Sequence, residues 1–211
     1  MTIRHLPDLH PAPAGKPDLG QVSGLQELAA QIAAGQAWTP QLAALVTATF
    51  DEQAADWNAT HSVGRFDPLH DALARGGIGA GGLCAELGSG TGQLTPALSA
   101  HFDHVACLDL SPVMLAHAPS GPGRRVRADA SRLPLRDGRV DAAVLVDAFC
   151  FARETERILA PDGVMVWINL LGADGPLYVP TERILTALPG TWGAIESTAG
   201  WGSWAVLRRS R

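Results

Sequence analysis

The sequence predicts an α/β fold: a mostly parallel sheet with helices on both faces, an antiparallel hairpin at its carboxyl-terminal edge and a helical segment ahead of it. Three observations predict it. From residue 83 onward, short apolar runs alternate with helical or turn-rich segments, the pattern of parallel strands joined by right-handed crossovers. Two last apolar runs, 192–197 and 203–209, are separated by the turn-prone TAGWG, as in an antiparallel hairpin. Before residue 80 the apolar residues recur instead at helical spacing, between cap and stop residues.

The elements follow in chain order. Residues 1–20 are rich in proline and poor in apolar side chains, so they are expected to form an arm without a core of its own, in part disordered. In GLQELAAQIAAG, 24–35, Leu25, Leu28, Ala29 and Ile32 share one helical face, and Gly35 ends the helix. Thr39 and Pro40 are an N-cap and first-turn pair for a longer helix, which carries Leu42, Leu45, Val46, Thr49 and Phe50 on one face towards Trp57. Asp67 and Pro68 start a third helix, and the glycine cluster at 76–82 stops it. These three helices make up a helical extension over 21–80, and the main fold is expected over 81–211. Its strands are expected at LCAEL (83–87), HVACLDL (104–110), RRVRAD (124–129), VDAAVLVDA (140–148), GVMVWINL (163–170), WGAIES and SWAVLRR, seven in all. Helical segments should follow the first, second and fourth, which buries both faces of the sheet.

Composition bounds the function classes. A chain of 211 residues with 46% hydrophobic and 18% charged residues can bury a substantial core as one domain. A net charge of −5 gives no electrostatic footprint for nucleic acid or for an anionic membrane surface. There is no signal-peptide pattern and no apolar run of membrane-spanning length, so the expected place is the cytoplasm. Cys84, Cys107 and Cys150 are widely spaced in strand-like runs and read as buried structural thiols.

Ligands of an open α/β sheet bind at the carboxyl ends of its strands, so functional residues should sit just after each apolar run. The first such place is CAELGSGTGQLT, 84–95, where Gly88, Gly90 and Gly92 would let main-chain N–H groups approach a ligand closely. A P-loop would need Lys and then Ser or Thr after the last glycine, and Gln93 stands there instead. The dinucleotide fingerprint would need glycine at 93, so a nicotinamide or flavin enzyme is disfavoured without being eliminated.

The stretch ELGSGTG resembles motif I of the class I S-adenosylmethionine-dependent methyltransferases. Further matches follow in order: LDLSPVML (108–115), ADASRLPLRDGRVDAAV (128–144) and RILAPDGVMVW (157–167). The general resemblance is to the group that includes the quinone-biosynthesis methyltransferases. It implies a Rossmann-like, seven-stranded, mostly parallel sheet with an antiparallel C-terminal hairpin, covered by an N-terminal helical lid. It also implies S-adenosylmethionine as cofactor, S-adenosylhomocysteine as product and a small-molecule methyl acceptor.

Residue by residue, Glu86 would meet the methionyl ammonium. Gly88, Ser89, Gly90 and Gly92 would form the loop beneath it. Asp109, seventeen residues past Gly92, would accept both ribose hydroxyls, with Leu110 and Met114 against the adenine. Asp129 would accept from the adenine amino group and the Ala130 N–H would donate to the ring. The lid would bring Arg65 to the cofactor carboxylate and Trp57 to the pocket wall. The bland reading of Asp109 and Asp129 is that they only cap the segments that follow.

Methyl transfer from an activated sulfonium is an in-line displacement that needs positioning and dryness more than a dedicated catalytic group. Where the acceptor is protonated, a base helps, and His61, His70 and Asp147 are the expected candidates. Asp147 also belongs to the expected cofactor shell. Asp147 and Asn169 lack the adjacent Asp-Asn pair of the metal-dependent O-methyltransferases, so no metal site is expected. The chain also departs from the family between VDAFC and FARETERIL, where a longer loop and helix are usual. That leaves one wall of the acceptor site to the first 80 residues or to the second subunit of a homodimer, with Tyr178, Trp192, Trp201 and Trp204 as further lining candidates. Two other functions stay open at the level of sequence: a non-catalytic binder of S-adenosylmethionine or S-adenosylhomocysteine, and an NAD(P)-dependent oxidoreductase.

Overall fold

The computed structural model describes residues 2–18, 20, 22–60 and 66–210. Among them, one eight-stranded sheet carries the fold, in the spatial order β1-β7-β8-β6-β5-β2-β3-β4. The strands are β1 (Thr2–His5), β2 (Leu83–Leu87), β3 (His104–Asp109), β4 (Arg124–Arg127), β5 (Val140–Val146), β6 (Leu159–Asn169), β7 (Trp192–Ala199) and β8 (Gly202–Arg209). Of these, β8 runs antiparallel to both its neighbours, and the other pairings are parallel. The central strands are buried on both faces, as the near-continuous apolar run VDAAVLV of β5 requires.

Two apolar layers cover the sheet. On one face, Ile158, Ile184 and Leu185, together with Ala29 and Ala33, pack on Leu145, Met165 and Trp167. They come from α7 (Ala152–Ile158), α8 (Thr181–Ala187) and α1 (Ser23–Ala33). On the other face, Leu69 and Ala72 of α4 (Asp67–Arg75) and Leu98 of α5 (Thr95–His101) pack on Val144, Val166 and Val206. The short α6 (Pro112–His117) follows β3, and the Ser111 side chain caps it by accepting from Met114 N at 2.9 Å. Ahead of the core, α2 (Pro40–Gln53) is capped by Thr39, whose Oγ1 accepts from Leu42 N at 3.2 Å. No residue of α2 is buried: the helix lies across the carboxyl end of the sheet, against α6, and a single turn, α3 (Trp57–Thr60), follows it.

Two differences from the expected layout have clear physical reasons. The sheet has eight strands because TIRH, within the proline-rich arm, pairs in parallel with β7 from Thr2 opposite Gly193 to His5 opposite Glu196. Four residues are too few for an alternating pattern to show. Residues 6–17 then follow a fixed course: Arg75 donates to Pro7 O at 2.9 Å, Gly200 N to His10 O at 2.7 Å and Trp201 Nε1 to Pro13 O at 2.7 Å. The second difference is α8, absent from the sequence-level layout and seated beneath α1.

Candidate functional site

Strand order reverses beside β2: the chain proceeds to β3 and β4 on one side and to β5 and β6 on the other. That is the switch point at which an open sheet leaves a crevice. A cleft of about 620 Å³ opens there, floored by the strand ends and roofed by α1, α2 and α3.

The glycine loop leaves β2 directly into this cleft. Gly88 and Ser89 both donate their N–H to Leu108 O, at 2.8 and 3.1 Å, which ties the loop to the end of β3. At Gly88 the backbone has φ +73°, and an added Cβ would sit 2.7 Å from the Cβ of Ala148. Gly90, at φ +54°, has open space where a Cβ would be, so its bare backbone forms cleft wall. Gly92 lies behind the loop against Thr95 and does not line the cleft. The Ser89 Oγ is buried and has no hydrogen-bond partner among the described residues.

Glu86 lines the cleft although it is only 4% exposed. Thr95, at the start of α5, donates from Oγ1 to Glu86 Oε2 at 2.6 Å. Burial nevertheless dominates and pushes the carboxyl up to about 7. Asp109 ends β3 and accepts from two backbone groups, Gly90 N at 2.7 Å and Ser111 N at 2.8 Å. Burial raises its pKa as well, against the pull of those bonds. The capping role suggested by the bland reading falls to Ser111, while Asp109 orders the glycine loop. Asp129 accepts from Ser131 N at 2.8 Å through Oδ1 and lines the cleft beside Ala130. Leu110 and Met114 line the same wall.

The helical extension reaches these groups through polar side chains that sequence reasoning missed. Trp38 Nε1 donates to Asp129 Oδ2 at 3.1 Å, and its ring meets Phe149 and Phe151 at centroid distances of 5.8 and 5.0 Å. Asp51, on α2, accepts from Ser111 Oγ. Asn58 Oδ1 accepts from Thr91 Oγ1 at 2.5 Å and from Gln93 Nε2 at 2.6 Å, which clips α3 to the glycine loop. The one available signal was positional: Trp38 immediately precedes the Thr39-Pro40 cap, so its direction is fixed by the helix start.

The proposed bases fare unequally. Asp147 lines the cleft at the end of β5; its backbone is left-handed at φ +44°, and its Oδ1 accepts from Leu170 N at 3.0 Å. A non-glycine residue held there is strained backbone at a site-forming position. His70 is exposed on α4, stacks on Phe66 and does not line the cleft; α4 packs against β8 on the face of the sheet opposite α1. His61 and Arg65 lie outside the described residues. Trp57 lines the cleft, as does Trp201. Trp192 and Trp204 are core residues, 2% and 1% exposed, and Tyr178 is not part of the lining. All three cysteines are free and buried.

Residues 85–167 match the family described as "Methyltransferase domain". A malonyl-[acyl-carrier protein] O-methyltransferase of Geobacter sulfurreducens is 35% identical over 97 residues, 39% of this chain and 36% of that protein. A demethylmenaquinone methyltransferase of Mycolicibacterium paratuberculosis is 30% identical over 130 residues, 57% of this chain and 56% of that protein. The chain thus spans about half the length of these curated relatives or less. Among solved structures, the DhpI-SAM-HEP complex has a TM-score of 0.64 at 21% identity, covering 82% of this chain and 100% of that one. That likeness concerns the fold: a mixed α/β sheet, mostly parallel, with an antiparallel C-terminal hairpin. No helix among the described residues is long and apolar enough to cross a membrane.

Proposed function

We propose that this chain, whose residues 85–167 match the methyltransferase domain family, transfers the methyl group of S-adenosylmethionine to an O, N or C centre of a small-molecule acceptor. One observation carries the reading: four carboxylates, Glu86, Asp109, Asp129 and Asp147, converge on the switch-point cleft from four successive parallel strands, and none of the lining residues among those described is Lys, Arg or His. A phosphate-bearing ligand would meet no cation among the described residues. A ligand with an ammonium, a diol and an amino group meets an acceptor for each.

The residues fit that cofactor on the chemistry of the donor set and on the buried, unpartnered Ser89 Oγ beside bare backbone at Gly90. Glu86 would hold the ammonium, which favours the ionised carboxylate that burial otherwise disfavours. Asp109, preset by the Gly90 and Ser111 N–H groups, would take the ribose hydroxyls. Asp129 and the Ala130 N–H would read the adenine edge, with Leu110 and Met114 against its face. When bound, S-adenosylmethionine supplies a methyl carbon on a sulfonium, open to in-line displacement.

The chain's own part in that step is to orient the acceptor, exclude water and take a proton. Trp38, Trp57 and Phe149 wall the cleft, and Asp147, held through Oδ1 by the Leu170 N–H, is the carboxylate placed to accept a proton from an acceptor hydroxyl or ammonium. The test is calorimetric titration of the full chain with S-adenosylhomocysteine and with NAD, followed by a methyl-transfer assay across an acceptor panel. Saturable S-adenosylhomocysteine binding with transfer is expected. NAD binding without S-adenosylhomocysteine binding would overturn the reading, and product binding without transfer would leave a binding protein.

A further inference from the structure

The carboxylate of Asp129 is held at both oxygens by donors from separate parts of the chain. Ser131, two residues on, donates its backbone N–H to Oδ1 at 2.8 Å. Trp38, 91 residues earlier, donates its Nε1–H to Oδ2 at 3.1 Å. One such bond leaves a carboxylate free to turn, whereas two on different oxygens fix its plane and still leave each oxygen able to accept from a ligand. An indole N–H can only donate, so its partner Oδ2 is kept as an acceptor.

Trp38 is itself held from two directions. Its ring meets Phe149 and Phe151 at centroid distances of 5.8 and 5.0 Å, and all three line the cleft together with Asp129 and Ala130. On the backbone side, Thr39 caps α2 directly after it, and the exposed Ala37 directly before it has φ +62°. A residue with a Cβ rarely takes that left-handed conformation, and it persists only where the surroundings enforce it.

We propose that Trp38 is a positioning residue that makes the nucleoside end of the cleft selective for a purine with a 6-amino group, and that the left-handed turn at Ala37 aims it. The proposal rests on the reading of Asp129 as the partner of the adenine edge. Adenine presents an amino donor beside a ring-nitrogen acceptor, and hypoxanthine presents the reverse, a carbonyl beside a ring N–H. A carboxylate of fixed plane next to the Ala130 N–H matches the first pattern and opposes the second. A carboxylate free to turn would reach the ring N–H of hypoxanthine and lose much of the distinction.

S-adenosylhomocysteine and S-inosylhomocysteine, which differ only at purine position 6, are titrated calorimetrically into the full chain and into Trp38→Phe, which keeps a ring but no N–H. The parent is expected to bind the adenosyl ligand at least about 100-fold more tightly. Trp38→Phe is expected to narrow that ratio by at least about tenfold. A merely structural role would weaken both ligands alike, so a ratio within about threefold of the parent's would overturn the proposal. Ala37→Pro forbids the positive φ at a surface position with the indole intact, and should narrow the ratio as Trp38→Phe does; Ala37→Gly accepts that φ without strain and should preserve it. Should Trp38→Phe not fold, a parent-like ratio in Ala37→Pro overturns the proposal in its place. Failure of S-adenosylhomocysteine to bind the parent would sink the methyl-transfer reading and the proposal together. Tight binding of both ligands by the parent without discrimination would sink the proposal alone.

Discussion

Replacing Asp109 with alanine should separate ligand affinity from stability. In the folded protein its carboxylate accepts from Gly90 N at 2.7 Å and Ser111 N at 2.8 Å, yet burial raises its pKa above the ordinary value. A carboxyl whose folded pKa lies above its unfolded one detracts from stability once it is ionised, so at neutral pH the desolvated charge outweighs the bonds that serve it. Deleting it removes that burden and leaves two N–H groups at the wall of an open cleft, where water can reach them. The net change should stay within about 1 kcal/mol, or about 4 °C in Tm for a chain of this size. Cofactor affinity is another matter: two hydrogen bonds from ribose hydroxyls to a charged acceptor are worth about 1.5–3 kcal/mol each, so S-adenosylhomocysteine should bind roughly 10²–10⁴-fold more weakly. Calorimetric titration and ligand-free thermal unfolding of the variant measure the two quantities. An affinity within about threefold of the parent would mean that the ribose is not held by Asp109.

Three further expectations concern groups around the cleft and beneath the sheet. Because burial lifts Glu86 from 4.5 to about 7, the folded chain keeps a proton that the unfolded chain has lost between those values. Ligand-free stability should therefore fall by about 3 kcal/mol as pH rises through that window; Glu86→Gln should flatten the dependence, and urea unfolding at both ends checks it. Trp38→Phe keeps a ring against Phe149 and Phe151 but removes the N–H held by Asp129, so the tryptophan fluorescence change on adding S-adenosylhomocysteine should drop by at least half. An undiminished signal would show that Trp38 does not sense the adenine end. Asp71 is 3% exposed; burial pulls its carboxyl up, but hydrogen bonds from Arg75 and Trp204 hold it below the ordinary range. Asp71→Ala should cost about 3–5 kcal/mol, seen as a Tm roughly 10 °C lower by calorimetry, with S-adenosylhomocysteine affinity of the folded protein unchanged.

What could be read in the sequence was whatever repeats or clusters locally. The runs LCAEL and VDAAVLV are strands because they are apolar throughout and bounded by turn residues, and they lie where their pattern puts them. Glu86, Asp109, Asp129 and Asp147 could be read as a group because each lies at or just past the end of such a run, and in the structure all four line one cleft. TIRH carried no comparable signal, since its strand character comes from the backbone of β7 rather than from its own side chains. Trp38, Asp51 and Asn58 were also silent: each acts across a long stretch of chain, on Asp129, Ser111, and Thr91 with Gln93, and no local pattern encodes such a pairing. The placement of His70 outside the cleft lining was not legible for the converse reason, because a helix start next to a plausible lid says nothing about which side of the sheet the helix will cover.

The pairing of β1 with β7 bears on the order in which the chain acquires its structure. During synthesis, Thr2–His5 emerges long before its partner, Trp192–Ala199, which lies 187 or more residues further along the chain. The intervening parallel core from β2 to β6 can form meanwhile, because its crossovers are short. The amino-terminal arm cannot: Pro7, His10 and Pro13 are held by Arg75, Gly200 and Trp201, two of which follow β7 in sequence. Earlier residues thus wait for later ones, and a nascent chain holds β1 unpaired until the hairpin of β7 and β8 arrives. Prolines at 7, 11, 13 and 17 keep that waiting segment stiff and poor in backbone donors, which makes it a weak template for pairing with another chain.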